Sequence, residues 1–290
     1  MSRPSKLQAP ASQPPASPPP AYDPPAFKSF EHGGWERIAT SYGDSVARVT
    51  VQCVPHILDA VGVRKGLRVL DVASGPGFLT QAAAERGAEA LGLDFSESMV
   101  QEARRRFPHV AFRQGDGENL PFGEGSYDVV LCAFGILHFA NPDRAIAEAH
   151  RVLVPGGVYA LTAWRPLEEN AFFNLVLEAI KTHGNLNVPV PPGPPMFRFG
   201  DPAECERVLR GAGFHDVSTR GLPAFLHLDR PEEALEMIEQ GTVRTVAVLK
   251  GQTPAQRERI EQAVIAATDK YRLNGKIALP MPVVLALGRK

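Results

Sequence analysis

The sequence predicts an α/β protein built on a doubly wound, mostly parallel sheet with helices on both faces. Three observations carry this. From residue 68 onward, short apolar runs alternate with amphipathic stretches of helical period. Residues 127 to 134, YDVVLCAF, are apolar on both faces of a period-two pattern, as in the middle of a covered parallel sheet. Residues 69 to 77, VLDVASGPG, set a turn of small residues between an apolar run and a helical segment, at the strand end where such sheets take their ligands.

The elements follow in order. Residues 68 to 73 form the first strand and 78 to 86 a helix carrying Leu79, Ala82 and Ala83, with Gly87 as its stop. Residues 89 to 95 are the second strand. Ser96 caps a helix whose Met99, Val100, Ala103 and Phe107 share a face, and Pro108 ends it. Strand three covers 110 to 114 and strand four 127 to 134. Asn141-Pro142 opens the next helix, which Pro155-Gly156-Gly157 stops before strand five at 158 to 164. Asp201-Pro202-Ala203-Glu204 reads as a variant capping box before a helix, strand six follows near 214 to 219, and residues 282 to 287 close the chain as a last strand. Two inserts interrupt this wind, at about 167 to 200 and 224 to 280, the second with two helical patterns, and both are candidate lid elements.

Composition sets the limits. The chain of 290 residues, 44% hydrophobic, can bury one large core, so residues 27 to 290 read as one domain with inserts. In residues 1 to 26, nine are proline and large apolar side chains are scarce, which predicts a solvated, disordered tail. A net charge of −1, with Arg104-Arg105-Arg106 as the single short basic run, gives no footprint for a nucleic acid. Cys53, Cys132 and Cys205 lie too far apart in sequence for a metal knuckle or a disulfide framework, so no metal is expected and a reducing, cytoplasmic setting fits. No apolar run approaches the roughly 20 residues needed to cross a bilayer, no signal-peptide pattern opens the chain, and no motif fixes an oligomeric state.

The turn alone does not choose its ligand, because free amides at a strand-to-helix turn suit a phosphate or a carboxylate equally. A dinucleotide fingerprint requires Gly or Ala where this chain has Thr80, and Asp71 would repel a pyrophosphate. Asp71 instead suits a ligand bearing an ammonium beside its carboxylate, as at the amino-acid end of S-adenosylmethionine. Asp94 ends the second strand, where a carboxylate accepts both ribose hydroxyls, and after strand three GDGENLPF offers Asp116 to an adenine amino group and the Gly117 amide to the ring.

With VLDVASGPG, LGLDFSESM, GDGENLPF, YDVVLCAFGILHF and EAHRVLVPGG in that order, residues 35 to 220 and the last strand resemble the class I S-adenosylmethionine-dependent methyltransferases. Within them the chain most nearly resembles the small-molecule group that includes ubiquinone and menaquinone biosynthesis enzymes. The resemblance implies a seven-stranded Rossmann-like sheet of order 3-2-1-4-5-7-6 with the last strand antiparallel, and S-adenosyl-L-methionine as cofactor. By motif position, Asp71, Ala73, Ser74, Gly75 and Gly77 would line its methionine end and Asp94 its ribose. Phe95, Met99, Asp116, Gly117, Glu118 and Leu120 would surround adenine, with Ala133 and Phe134 completing the wall. Ala73 stands where many relatives have Gly. Plainer roles remain open at each position: Asp71 and Asp94 as helix caps, Met99 as core, the glycines as chain geometry.

His138, in GILHF, falls where the family faces the transferred methyl group, and an ordinary imidazole suits removal of a proton from a phenol, hydroxyl or acidic carbon. Filling space or bonding backbone is its competing role. WERIATSYG resembles the family's N-terminal helix, in which Tyr42 would fold over the methionine end with Trp35 beside the acceptor. Phe172, His183, Phe197 and Met237, in the inserts, are candidates for the acceptor wall, and a lipophilic small molecule such as a quinone, polyketide or terpenoid is the expected acceptor. Alternative functions are a cyclase or pericyclase that binds the cofactor without transferring methyl, and a non-catalytic binding protein.

Overall fold

The computed structural model describes residues 21–290. Residues 1 to 20 of the proline-rich tail lie outside the described residues. The described chain turns helical before the predicted boundary at residue 27: α1 spans Pro24–Tyr42, with the Asp23 side chain accepting the Ala26 amide as N-cap. Tyr22 hydrogen-bonds the Ala140 carbonyl.

Short helices α2 (Ala47–Thr50) and α3 (Val54–Ala60) lead to β1 (Arg68–Val72), α4 (Phe78–Glu85), β2 (Glu89–Asp94), α5 (Glu97–Arg106), β3 (Ala111–Gln114) and β4 (Tyr127–Ala133). The wind continues through α6 (Pro142–Val152), β5 (Leu153–Trp164), α7 (Ala171–His183), α8 (Pro202–Gly211) and β6 (His215–Leu222). The second insert holds β7 (Phe225–Leu228), α9 (Glu233–Gly241), α10 (Arg244–Lys250), α11 (Pro254–Asp269), β8 (Arg272–Leu273) and β9 (Lys276–Pro280), before β10 (Val283–Arg289).

The main sheet runs β3-β2-β1-β4-β5-β10-β6, which is 3-2-1-4-5-7-6 when its own seven strands are counted in chain order. β10 is antiparallel to both neighbours, β5 and β6, and the other pairings are parallel. Period-two alternation divides the strands between two cores. Val69, Val129, Leu131 and Leu285 pack with Ile57, Leu79 and Val176 on one face. Leu70, Val130, Leu161 and Val284 pack with Ile146 and Leu209 on the other. Each such fully buried side chain stabilises the fold by about 1.5–3 kcal/mol.

Three local readings change. β5 begins at Leu153, not 158, because Leu153 pairs with Tyr127 and the register then shifts, so Pro155-Gly156-Gly157 is carried inside the strand. Asp201 caps α8 through the Ala203 amide, but Glu204 turns to Arg198 and Arg207, so the reciprocal half of the box is missing. The second insert contains three helices and a three-stranded sheet, β7-β9-β8, rather than two helices. Leu226, Leu228, Ile277 and Leu279 bury that sheet against the core beneath α7.

Candidate functional site

β1 and β4 end at the carboxyl edge of the sheet in two non-glycine residues with positive φ, Ala73 (58°) and Phe134 (58°). Left-handed backbone at such residues costs about 1 kcal/mol or more, and here both lie in the wall of one cavity. Beyond Ala73 the chain turns through Gly75 (φ 53°) and Gly77 (φ 88°) into α4. Gly77 is required by packing, since a Cβ there would stand 2.5 Å from the Phe112 ring. A Cβ on Gly75 would meet nothing within 4 Å, because that face opens on the cavity.

The amides of this turn are already engaged: Ser74 donates to the Leu93 carbonyl at 3.1 Å, Gly75 to Asp94 Oδ2 at 2.8 Å and Gly77 to the Ser74 carbonyl at 3.0 Å. The expectation of free amides aimed at a ligand therefore fails at these three positions. What the turn offers is the Ser74 hydroxyl, whose oxygen is buried and has no partner among the described residues.

Two buried carboxylates flank the turn. Asp71, 1% exposed, accepts the Thr80 hydroxyl at 2.7 Å. Burial pushes its carboxyl up to about 7, the Thr80 hydrogen bonds restrain the rise and the charge on Asp94 adds to it. Asp94 holds the Gly75 amide on one oxygen and the Ser96 amide on the other, at 3.0 Å. Burial lifts Asp94 to about 6 against the pull of those two amides. Asp94 thus does carry a capping-type role, yet a carboxylate has about four lone-pair sites and two amides leave room for two hydroxyls.

Along the same wall lie Phe95, Met99, Asp116, Gly117 and Glu118. Asp116 accepts the Glu118 amide at 2.9 Å and pairs with Lys28 of α1, while Glu118 accepts the Ala140 amide at 2.8 Å. Leu120 is set back from the cavity in the core, where its amide donates to Glu148, and Gly77 is also behind the wall.

His138 sits in a short 3-10 turn, Ile136–His138, just past β4. Its Nδ1 lies 2.9 Å from Oε2 of Glu31, a carboxylate of α1 with no exposed surface. Trp35 donates its indole N–H to the same oxygen at 3.1 Å and sets its ring edge-on to the imidazole, 4.7 Å between centroids. Arg244 donates to Glu31 Oε1 at 2.7 Å. Burial alone would raise Glu31, but His138 and Arg244 outweigh it and hold the carboxyl below its usual range.

The same cavity also has an apolar lining, Val46, Val51, Val54, Trp164, Phe173 and Met196, with Thr50, Thr242 and Thr245 among them. Tyr42, Trp35, Ala133 and Phe134 also line the cavity, and burial pushes the Tyr42 phenol up to about 12, so it stays protonated. Four of the candidates for this wall are elsewhere. Phe172 is fully buried in the core, because α7 turns its neighbour Phe173 toward the cavity. Met237 is 4% exposed in the same core, His183 stands at the end of α7, and Phe197 packs behind Phe173, 5.9 Å between rings.

The lining runs as one cavity from the turn after β1 to Gly241–Thr245 of the second insert. The buried unpartnered Ser74 hydroxyl, the open face at Gly75 and the two carboxylates match the amino-acid and ribose ends of S-adenosylmethionine. Among the described residues, no group of three His, Cys, Asp or Glu is placed to hold a metal ion, and no helix is long and apolar enough to cross a membrane. The three cysteines are buried, and burial lifts each thiol to about 12.

Lys28, Glu31 and Arg244 were not legible as site residues one at a time. A signal existed for one of them: Phe27, Glu31, Gly34, Trp35 and Ile38 share the buried face of α1, and a carboxylate on such a stripe needs partners.

A family model described as a methyltransferase domain matches residues 70–161. A demethylmenaquinone methyltransferase from Thermus thermophilus is 33% identical over 182 residues, 57% of this chain and 83% of the relative. One of the same name from Paenarthrobacter aurescens is 28% identical over 201 residues, 65% of this chain and 79% of the relative. Among solved structures, the YcgJ protein of Bacillus subtilis aligns with a TM-score of 0.56 at 20% identity, covering 82% of this chain and 98% of that one.

Proposed function

This chain belongs to the class I S-adenosylmethionine-dependent methyltransferases, and from that premise we propose that it methylates an apolar, hydroxylated aromatic acceptor of the reduced-quinone class, with His138 as general base. One observation carries the reading. His138 lines the same cavity as Asp71, Ser74 and Asp94 and as the apolar side chains of Val46, Val51, Trp164 and Phe173. The names of the relatives support a quinone-like acceptor.

When bound, the cofactor supplies a methyl group on a sulfonium, open to in-line displacement. Asp94 accepts the two ribose hydroxyls, Asp71 balances the ammonium, and the Ser74 hydroxyl donates to the carboxylate. Asp116 accepts the adenine amino group, while Phe95 and Met99 cover the ring. Tyr42 and Trp35 close over the methionine end and exclude water. The apolar wall aligns the acceptor with its hydroxyl at His138. The imidazole takes that proton, and the charge so created on the acceptor makes its oxygen, or the ring carbon conjugated to it, the nucleophile.

The test is transfer of a labelled methyl group from S-adenosylmethionine to a short-chain demethylmenaquinone kept reduced, followed by mass spectrometry. His138→Ala and His138→Gln should keep cofactor affinity and slow the chemical step by about 10²- to 10⁴-fold, with part of the rate recovered at high pH as the acceptor ionises in solution. Near-wild-type single-turnover rates in both variants would remove His138 as the base, and no labelled product with the native protein would remove the acceptor class.

A further inference from the structure

The cluster around Glu31 is built more elaborately than an ion pair requires. We propose that Glu31 is the positioning residue of His138, fixing the imidazole with its proton on Nδ1 and its lone pair on Nε2, and that Arg244 ties this arrangement to the second insert. The inference rests on the reading of His138 as the base.

Donor and acceptor accounting decides the tautomer. Indole N–H and guanidinium only donate, and an ionised carboxylate only accepts. Trp35 and Arg244 donate to Oε2 and Oε1 respectively, so Glu31 serves as acceptor on both oxygens. The third partner, His138 Nδ1 at 2.9 Å, must then carry the proton of that contact. A neutral imidazole protonated on Nδ1 keeps its lone pair on Nε2, the form able to take a proton from an acceptor.

The rest of Arg244 locks the frame. It donates to the carbonyls of Pro194, in the first insert, and of Leu137, the residue before His138. The guanidinium also lies over the Phe27 ring, 4.4 Å from its centroid. Gly34 lets α1 come this close to the second insert, for a Cβ there would stand 2.2 Å from Val243. One buried carboxylate therefore joins α1, the turn after β4 and the start of α10, and the base is oriented only when all three are docked.

The experiment reads the tautomer directly, by two-bond proton–nitrogen correlations on full-length, histidine-labelled protein bound to S-adenosylhomocysteine, with the His138 signal assigned by its loss in His138→Gln. In the native protein the Nδ1–H form should dominate. In Glu31→Gln the amide oxygen turns to Arg244 and the amide N–H faces His138, so the proton should move to Nε2 and kcat should fall about 10²-fold or more, with the acceptor KM changed by less than about threefold. Should Glu31→Gln fail to fold because Arg244 is left uncompensated, Glu31→Leu with Arg244→Met removes both charges and the acceptor of the Nδ1 proton, and should show the same loss of the Nδ1–H form. An Nε2–H form in the native protein, or an Nδ1–H form that persists in the folded variants, overturns the proposal. The readouts separate the two ideas: unimpaired turnover in His138→Gln, with a tautomer that still follows Glu31, removes the base and leaves Glu31 as the group that orients the ring.

Discussion

Replacing Asp71 by Asn should strengthen the cofactor-free protein and weaken its hold on the cofactor. Asp71 is 1% exposed, and burial is the main reason its carboxyl rises from 3.8 to about 7. A shift of that size means that folding discourages ionisation, at about 1.4 kcal/mol per unit, or about 4 kcal/mol in all at pH 8. The sign follows from proton counts. Between pH 3.8 and 7 the folded state binds a proton at Asp71 that the unfolded state has released, so the group's contribution to stability falls as pH rises through that window and is lowest above 7. Asn can keep the bond from the Thr80 hydroxyl, now 2.7 Å long, while burying its own N–H groups costs about 1–3 kcal/mol. The net gain at pH 8 is therefore about 1–3 kcal/mol, which is about 2–10 °C in melting temperature for a domain of this size. Near pH 5 the carboxylate costs only about 1–2 kcal/mol and the substitution should be close to neutral. Affinity for S-adenosylhomocysteine should meanwhile drop about 10- to 100-fold, as expected for losing a charged partner to an ammonium. Thermal unfolding at pH 8 and pH 5, with and without S-adenosylhomocysteine, reads all of these. A variant less stable than the native protein at pH 8, or one whose effect is the same at both pH values, would refute the reasoning.

Two further substitutions probe the same turn. Asp94→Ala should weaken cofactor binding by about 2–3 kcal/mol in calorimetry, through loss of the charged acceptor and of the support for the Gly75 amide. The native affinity should fall as pH drops below about 6, where Asp94 takes up its proton; unchanged affinity in the variant would remove Asp94 from the site. Gly77→Ala, with a Cβ 2.5 Å from Phe112 at φ 88°, should lower stability by about 2–4 kcal/mol, whereas Gly75→Ala, opening on the cavity, should cost about 1–2 kcal/mol of stability and far more in binding. Equal unfolding losses in the two variants would contradict this division of roles.

The order of the main sheet was legible because most of its strands are marked by apolar runs and three of the helices between them by caps the structure uses, Ser96, Asn141 and Asp201. The second insert was not, because β8 has only two residues, too few for a period to show. The signal present there was chemical: Asn274-Gly275, both at positive φ, forms the hairpin turn between β8 and β9. In the site, residues on the sheet's loops were legible from spacing, since Asp71, Asp94, Asp116 and His138 come to one cavity from four strand ends. The acceptor wall was read less well. Adjacent aromatics such as Phe172 and Phe173 differ only in which way α7 is rotated, and packing sets that rotation. Arg244 and Glu31 meet across 213 positions of sequence, a pairing that no local pattern encodes.

A structure of the full chain with S-adenosylhomocysteine bound tests the account most directly. The ribose hydroxyls should lie on Asp94, the amino-acid end between Asp71 and the Ser74 hydroxyl, adenine beside Asp116, and the sulfur should point toward His138 and the apolar wall. A ligand bound with Asp94 and Ser74 untouched, or with its sulfur turned away from His138, would contradict it.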